Sequence, residues 1–378
     1  MDNSNQNLLS ILIISWMGVT GLGFTTIQPV LLGGIVDQLN FDRSMVGWIS
    51  TVNVIGIAIG GIVITLLIGR FSLLRMIQVG LIGLVLFDVG SIFIQAEFPM
   101  LVIRSLSGFF GGLVYAGAMA AFSGFKDNIK AFGIYVMVYS FWSILALFAL
   151  PDLIEWYGLI LGFGTLLLLT TISIIGSFML RLPPIRAKEM ISLKDLLSQR
   201  LVVLSLLSYF MMQLAGGVVW AYLERIAKEA AISSTFTGIA LSVSGVVALA
   251  SGWIVLEIGT KWGIKKPFIG GILIMIISAI SLLASEFQWI YLIGLSIFCG
   301  GWAFLIPYYQ KIQAQFDISG KVVSLGTIVN MGGRAAGPAL AALLLSDVAY
   351  VQVIWIGVVA LIIGWFLMLP IFNRTEVI

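Results

Sequence analysis

Long apolar runs alternate with short polar punctuation along nearly the whole chain. Twelve runs reach the length of about 20 residues that an α-helix needs to cross a bilayer. They cover approximately 8–32, 45–68, 73–95, 99–124, 131–150 and 156–180, then 201–223, 235–258, 268–285, 289–309, 322–345 and 352–372. Strands of a membrane barrel would be about 10 residues long and alternate in polarity. These runs do neither, so the pattern predicts an all-α integral membrane protein with twelve transmembrane helices. Residues 1–7 are polar without a basic residue, and the following apolar run lacks a small-residue cleavage pattern. We therefore expect a retained first span rather than a signal peptide.

Composition agrees. Of 378 residues, 60% are apolar and 10% charged, and the mean hydropathy is +1.11. A soluble domain carries roughly 45–50% apolar and about 25% charged residues, and it has too little surface to hide this excess. One cysteine, Cys299, and no histidine exclude a disulfide framework, Cys/His metal clusters and histidine proton relays. No metal or cofactor is expected, and a proton carrier would have to be a carboxylate. The net charge of +3, without a basic block, argues against nucleic acid. No Walker-type phosphate loop is present, which argues against an ATP-driven pump, and the chain is not expected to be an enzyme.

Basic residues set the orientation. With the N-terminus in the cytoplasm, that side holds Arg70, Arg75, Lys126, Lys130, Arg181, Arg186, Lys188, Lys194, Arg200, Lys261, Lys265, Lys266, Lys311, Lys321 and Arg374. Only Arg43, Arg225 and Lys228 fall outside, while Arg104 and Arg334 lie within spans. Both termini are expected in the cytoplasm of a cell with an inner membrane.

The longest hydrophilic stretch, 181–200, follows span six and predicts a cytoplasmic linker between bundles 1–180 and 201–378. Pro183 and Pro184 break the preceding helix, and 192–199 could form a short amphipathic surface helix. The halves repeat. Gly69 to Arg75 after span two matches Thr260 to Lys266 after span eight, and the same offset maps Phe125 onto Phe316 and Lys130 onto Lys321. Parallel six-span repeats fit a transporter whose two bundles rock about a central site.

At these residues the chain resembles the major facilitator superfamily over essentially its whole length. That family carries an Asp-Arg-x-Gly-Arg-Arg loop after span two and a weaker copy after span eight. Here Arg70-Phe71-Ser72 and Lys261-Trp262-Gly263 keep the basic and turn elements, while Gly69 and Thr260 stand at the acidic position. The resemblance implies gating loops built on Arg70, Arg75, Lys261, Gly263 and Lys265. Arg104 to Gly108 in span four is similar to the family's Arg-x-x-x-Gly signature, often linked to proton coupling. Leu22-Gly23 followed by Pro29-Val30 is similar to a span-one pattern of drug:proton antiporters. Their span-five signature is absent: Tyr139-Ser140-Phe141-Trp142-Ser143 stands there instead. A look-alike, Gly333 to Pro338, lies in span eleven.

A charge near mid-bilayer costs several kcal/mol and marks a functional candidate. Arg334 is about twelve residues, roughly 18 Å, into span eleven. Arg104 is about five residues, roughly 8 Å, from the outer end of span four, and Asp88 lies at similar depth in span three. By the family resemblance both arginines could face a central cavity, where guanidiniums would favour a carboxylate or phosphate. The bland readings are an Arg334 that bonds carbonyls freed near Pro338, and an Arg104 tied to Asp88 or to helix ends. Asp88 could couple proton and substrate movement by gaining and losing its arginine partner, or form a static bridge. Glu224 and Glu257, with Arg225, end spans and could be solvated termini or gate and proton-coupling contacts.

Gln28, Asn53, Gln213 and Asn330 mark the rest of the candidate pocket; Gln28 precedes Pro29, read as a helix breaker. Tyr135, Tyr139 and Trp142 share one face of span five, as packing or as a ligand surface. Trp220, Trp289 and Tyr291 are expected in the interfacial belt. Gly56-x-x-x-Gly60, Gly108-x-x-Gly111-Gly112 and Gly300-Gly301 predict close helix approach. The expected function is secondary, proton-coupled transport of a small organic anion by a monomer in the lipid bilayer. The alternative is a drug:proton antiporter exporting amphipathic compounds.

Overall fold

The computed structural model describes residues 3–67, 70–122, 125, 128–180, 199–258, 261–316, 321–344 and 350–374. The predicted linker lies outside them except for Gln199 and Arg200, as do Gly69 and Thr260. The protein is an all-α membrane protein of twelve spans in two six-helix bundles, and the described residues contain no strand. By internal contacts it divides into Met1–Glu189 and Met190–Ile378.

In the first unit, span one is two helices, Asn3–Gly21 and Gly23–Leu39. Spans two to six are Met45–Leu67, Leu73–Phe93, Glu97–Phe122, Asn128–Tyr157 and Leu159–Ser177. In the second, spans seven to twelve are Arg200–Glu229, Ser234–Ile258, Lys265–Ser281, Gln288–Phe316, Lys321–Leu344 and Val351–Arg374. Among the described residues, 11 helical segments are long and apolar enough to cross a membrane by length and composition. Lys321–Leu344, which carries Asn330 and Arg334, is not one of them.

Spans two and four pack closely in the first unit. Gly60 faces the Phe109 carbonyl and Gly108 the Asn53 carbonyl, so neither position has room for a side chain. The second unit uses glycine likewise. A Cβ on Gly300 of span ten would lie 2.8 Å from Ser251 Oγ of span eight, and one on Gly337 of span eleven would lie 2.8 Å from Val218 N of span seven. The close approach expected of these small residues is therefore present.

Three local expectations are corrected. Span one breaks at Leu22 (φ −104°, ψ 8°), while Pro29 lies inside the second helix. The Thr25 and Thr26 hydroxyls donate to the Leu22 carbonyl at 2.8 and 3.0 Å, which stabilises the start of that helix. Span five does not stop before Pro151 but continues to Tyr157, and Gly158 at φ +87° makes the turn. Tyr291 is no belt residue: it is fully buried and its hydroxyl donates to the Leu223 carbonyl at 3.1 Å. Trp289 is exposed as expected of a belt residue, and Trp220 is half-buried.

Candidate functional site

Each unit holds a buried polar cluster. In the first, Asp88 projects from span three and Arg104 from span four, and Nη2 of Arg104 lies 2.5 Å from Asp88 Oδ1. The same carboxylate oxygen accepts from Ser107 Oγ at 3.0 Å, one turn further along span four. Arg104 has 0% exposure and Asp88 has 3%. The rings of Phe24 and Phe163 lie 4.9 and 5.5 Å from Arg104 Cζ, so aromatic faces add to the attraction of the carboxylate. Asn53 Nδ2 of span two donates to the Arg104 carbonyl at 3.0 Å.

This cluster is incompletely satisfied. Arg104 Nε and Nη1 and Asn53 Oδ1 are buried without a hydrogen-bond partner. A void of about 10 Å³ lies among Asn53, Asp88, Ser107, Thr20 and Thr170, the size of about one water molecule. Buried unpaired donors on a charged group cost free energy in a low-dielectric interior. The pair is thus held tightly but not saturated.

The other candidates in this unit lie in neighbouring contacts. Gln28 Nε2 donates to Ser50 Oγ of span two at 2.6 Å, and both residues are buried. Thr26 Oγ1 donates to Tyr139 OH at 3.4 Å. Trp142 meets Trp16 edge to face, with ring centroids 5.9 Å apart, and both indole Nε1 atoms are buried without a partner. Tyr135 stacks obliquely on Tyr139, at 6.1 Å. The stripe read from span five therefore turns its aromatic face toward span one.

The second cluster surrounds Arg334. Its guanidinium is half-buried, with Cζ 5.3 Å from the centroid of Trp302 in span ten. No carboxylate pairs with it among the described residues. Trp302 Nε1 donates to Gln213 Oε1 of span seven at 3.0 Å. One turn before Arg334, Asn330 Nδ2 donates to Tyr209 OH at 3.0 Å. Gln213 Nε2 and Asn330 Oδ1 are buried without a partner. Tyr209 leans on Tyr309, with ring centroids 4.9 Å apart, and the Tyr309 hydroxyl lies 2.8 Å from Ser208 Oγ. One donor and one acceptor are thereby left buried and without a hydrogen-bond partner beside a half-buried guanidinium, among three packed helices.

Sequence reading singled out Gln213, Asn330 and Arg334 but missed Trp302 and Tyr209. Tyr209 precedes Gln213 by one helical turn, a spacing that places both on one face. Trp302 follows the Gly300-Gly301 pair, with no polar neighbour to flag it.

The remaining candidates lie elsewhere. Glu224 and Arg225 are bridged to each other at the end of span seven, Nε to Oε2 at 2.6 Å. Glu257 is exposed at the end of span eight. Arg70 and Lys261 are exposed on their loops, Arg75 and Lys265 are exposed in the first turns of spans three and nine, and Gly263 makes its turn at φ +72°. The turn read from Lys261-Trp262-Gly263 thus has its left-handed residue at the glycine.

Comparisons extend this geometry. A model of the Major Facilitator Superfamily matches residues 13–338. The fold is similar to that of a D-xylose-proton symporter (TM-score 0.77, 15% identity, covering 95% of this chain and 97% of that one). It is also similar to the nucleoside transporter NupG (0.74, 13%, covering 98% and 100%). A bacterial homologue of the human lysosomal transporter Spinster, in an inward-facing and unoccupied conformation, gives 0.68 at 11% identity, covering 97% and 96%. No curated protein sequence matches.

Proposed function

Because this chain belongs to the Major Facilitator Superfamily, we propose that it is a secondary transporter that carries a small organic anion by alternating access, with a proton as the coupling ion. The observation that carries the anion is Arg334: a half-buried guanidinium with an aromatic partner and no carboxylate among the described residues. A planar fork of this kind takes a carboxylate through two parallel N–H···O bonds. Gln213 Nε2 and Asn330 Oδ1 supply a donor and an acceptor for the rest of the solute.

Asp88 is the proposed proton carrier, because it is a buried carboxylate whose arginine partner keeps two N–H groups unpaired. Protonation would weaken its hold on Arg104, and release of the proton would restore it. Arg104, enclosed by Asp88, Phe24 and Phe163, belongs in this reading to the coupling pair rather than to the first contact with solute. In this reading both termini lie on the cytoplasmic side of an inner membrane, which the excess of basic residues in those loops supports, and the protein works as a monomer.

The aromatic group Trp16, Tyr139 and Trp142 favours a second reading, export of flat amphipathic compounds by proton antiport. Uptake of radiolabelled carboxylates into proteoliposomes separates the two. The anion reading expects uptake driven by a proton gradient and abolished in Arg334→Ala at normal folded yield. Unchanged uptake in that variant removes Arg334 from the site, and dye export without carboxylate uptake selects the second reading.

A further inference from the structure

A cavity of about 540 Å³ opens in the second unit among spans eight, nine and ten, within the range of about 300–1,000 Å³ typical of small-molecule sites. Its wall is almost wholly apolar. Ile254, Ile274 and Ile297 line it and are substantially exposed. Ser251 also lines it, but its hydroxyl donates to the Val247 carbonyl at 2.8 Å and is already satisfied. The shape comes from glycine. Gly271 and Gly301 press spans nine and ten together, their Cβ positions 2.8 Å from Leu305 and 3.1 Å from Met275, whereas a Cβ on Gly270 would meet nothing within 4 Å. The helices are held close, so the space above Gly270 does not collapse.

One end of the groove is basic. Lys266 lines its mouth beside Trp262, which is 65% exposed, and Lys261 and Lys265 are exposed on the same turn. None of these lysines pairs with a carboxylate among the described residues, although Glu257 is exposed at the adjacent end of span eight. Apolar wall, interfacial indole and ammonium thus follow one another in the order of an acyl chain, a glycerol backbone and a phosphate.

We propose that this groove binds one anionic phospholipid, an acyl chain lying over Gly270 and the phosphate held by Lys266, with Lys261 and Lys265 adding to the field. Excess positive charge selects an anionic over a zwitterionic headgroup. A transported solute fits poorly, because the wall has no free hydrogen-bonding side chain to orient it.

Native mass spectrometry of the full chain, extracted from vesicles of phosphatidylglycerol and phosphatidylethanolamine, tests this. The wild type should retain one phosphatidylglycerol through delipidation, unaffected by inorganic phosphate. Lys266→Gln should weaken retention by about fivefold, as expected for one lysine at a lipid surface. Gly270→Leu should abolish it by filling the groove, with Gly164→Leu, another glycine with open space about it, as the control. Equal retention in wild type and Lys266→Gln, equal retention of the two lipids, or displacement by inorganic phosphate would each overturn the proposal. If Gly270→Leu folds poorly, the Lys266→Gln comparison decides alone, since its side chain is exposed.

Discussion

Gly217 of span seven lies directly against the backbone of Arg334 in span eleven: a Cβ on the glycine would stand 2.6 Å from the arginine carbonyl oxygen. The position of the guanidinium is therefore set by how closely two helices approach. Gly217→Val should force span eleven away, and overpacking of this kind costs about 1–3 kcal/mol. A lowered melting temperature in detergent, together with lost uptake, is the expected outcome. Gly252→Ala is the contrast, because its Cβ meets nothing within 4 Å. Replacing a mid-helix glycine with alanine there should gain about 0.5–1 kcal/mol.

Trp302 should matter through its ring. Cation–π contacts are worth about 0.5–2 kcal/mol, so Trp302→Leu should weaken substrate binding about 2- to 30-fold. Trp302→Phe should keep part of that, since it retains an aromatic face while losing the bond to Gln213. Binding isotherms for the two variants check the order; equal losses would assign the effect to the indole N–H instead.

The Asp88–Arg104 pair makes a prediction on both stability and coupling. Asp88→Asn leaves a fully buried guanidinium without its counter-charge, and breaking a buried pair from one side costs about 3–5 kcal/mol. The double variant Asp88→Leu/Arg104→Met should recover most of the melting temperature, because apolar replacement of both partners is often neutral. Neither variant should accumulate solute in response to a pH gradient, although Asp88→Asn should retain downhill counterflow if it folds. Gradient-driven accumulation in Asp88→Asn would make the pair purely structural.

Gly263 offers a test of the loop after span eight. Its φ of +72° lies where an L side chain costs about 1–2 kcal/mol. Gly263→Ala should lower the melting temperature by a few degrees, whereas Lys265→Ala, exposed at the start of span nine, should leave it unchanged. Thermal unfolding of the two variants side by side checks this.

Much of the architecture was legible in the order of residues because a bilayer imposes a length rule on every span. The apolar runs around 45–68 and 73–95 correspond to helices Met45–Leu67 and Leu73–Phe93. Helix interruptions were less legible. The apolar run read as 131–150 ends just before Pro151, yet the helix carries that proline inside it and continues to Tyr157. The break at Leu22 lies between Gly21 and Gly23, a helix-weakening pair that the sequence reading passed over in favour of Pro29. In the candidate site, Asp88 and Arg104 stood out because charge is rare in hydrocarbon. Trp302 and Tyr209 did not, since an aromatic residue in a span is ordinary until its partners are known.

The interruption at Leu22 also divides the moorings of span one. Before it, Thr20 is fastened to the Ser173 hydroxyl, 2.7 Å away, on span six. After it, Gln28 is fastened to span two and Thr26 to span five. A straight rod would have to drag all three neighbours together whenever one of them tilted. An articulated one lets each half follow its own moorings, Trp16 and Thr20 on one side and Thr26, Gln28 and Gln38 on the other, with the difference absorbed in the torsions of a single leucine.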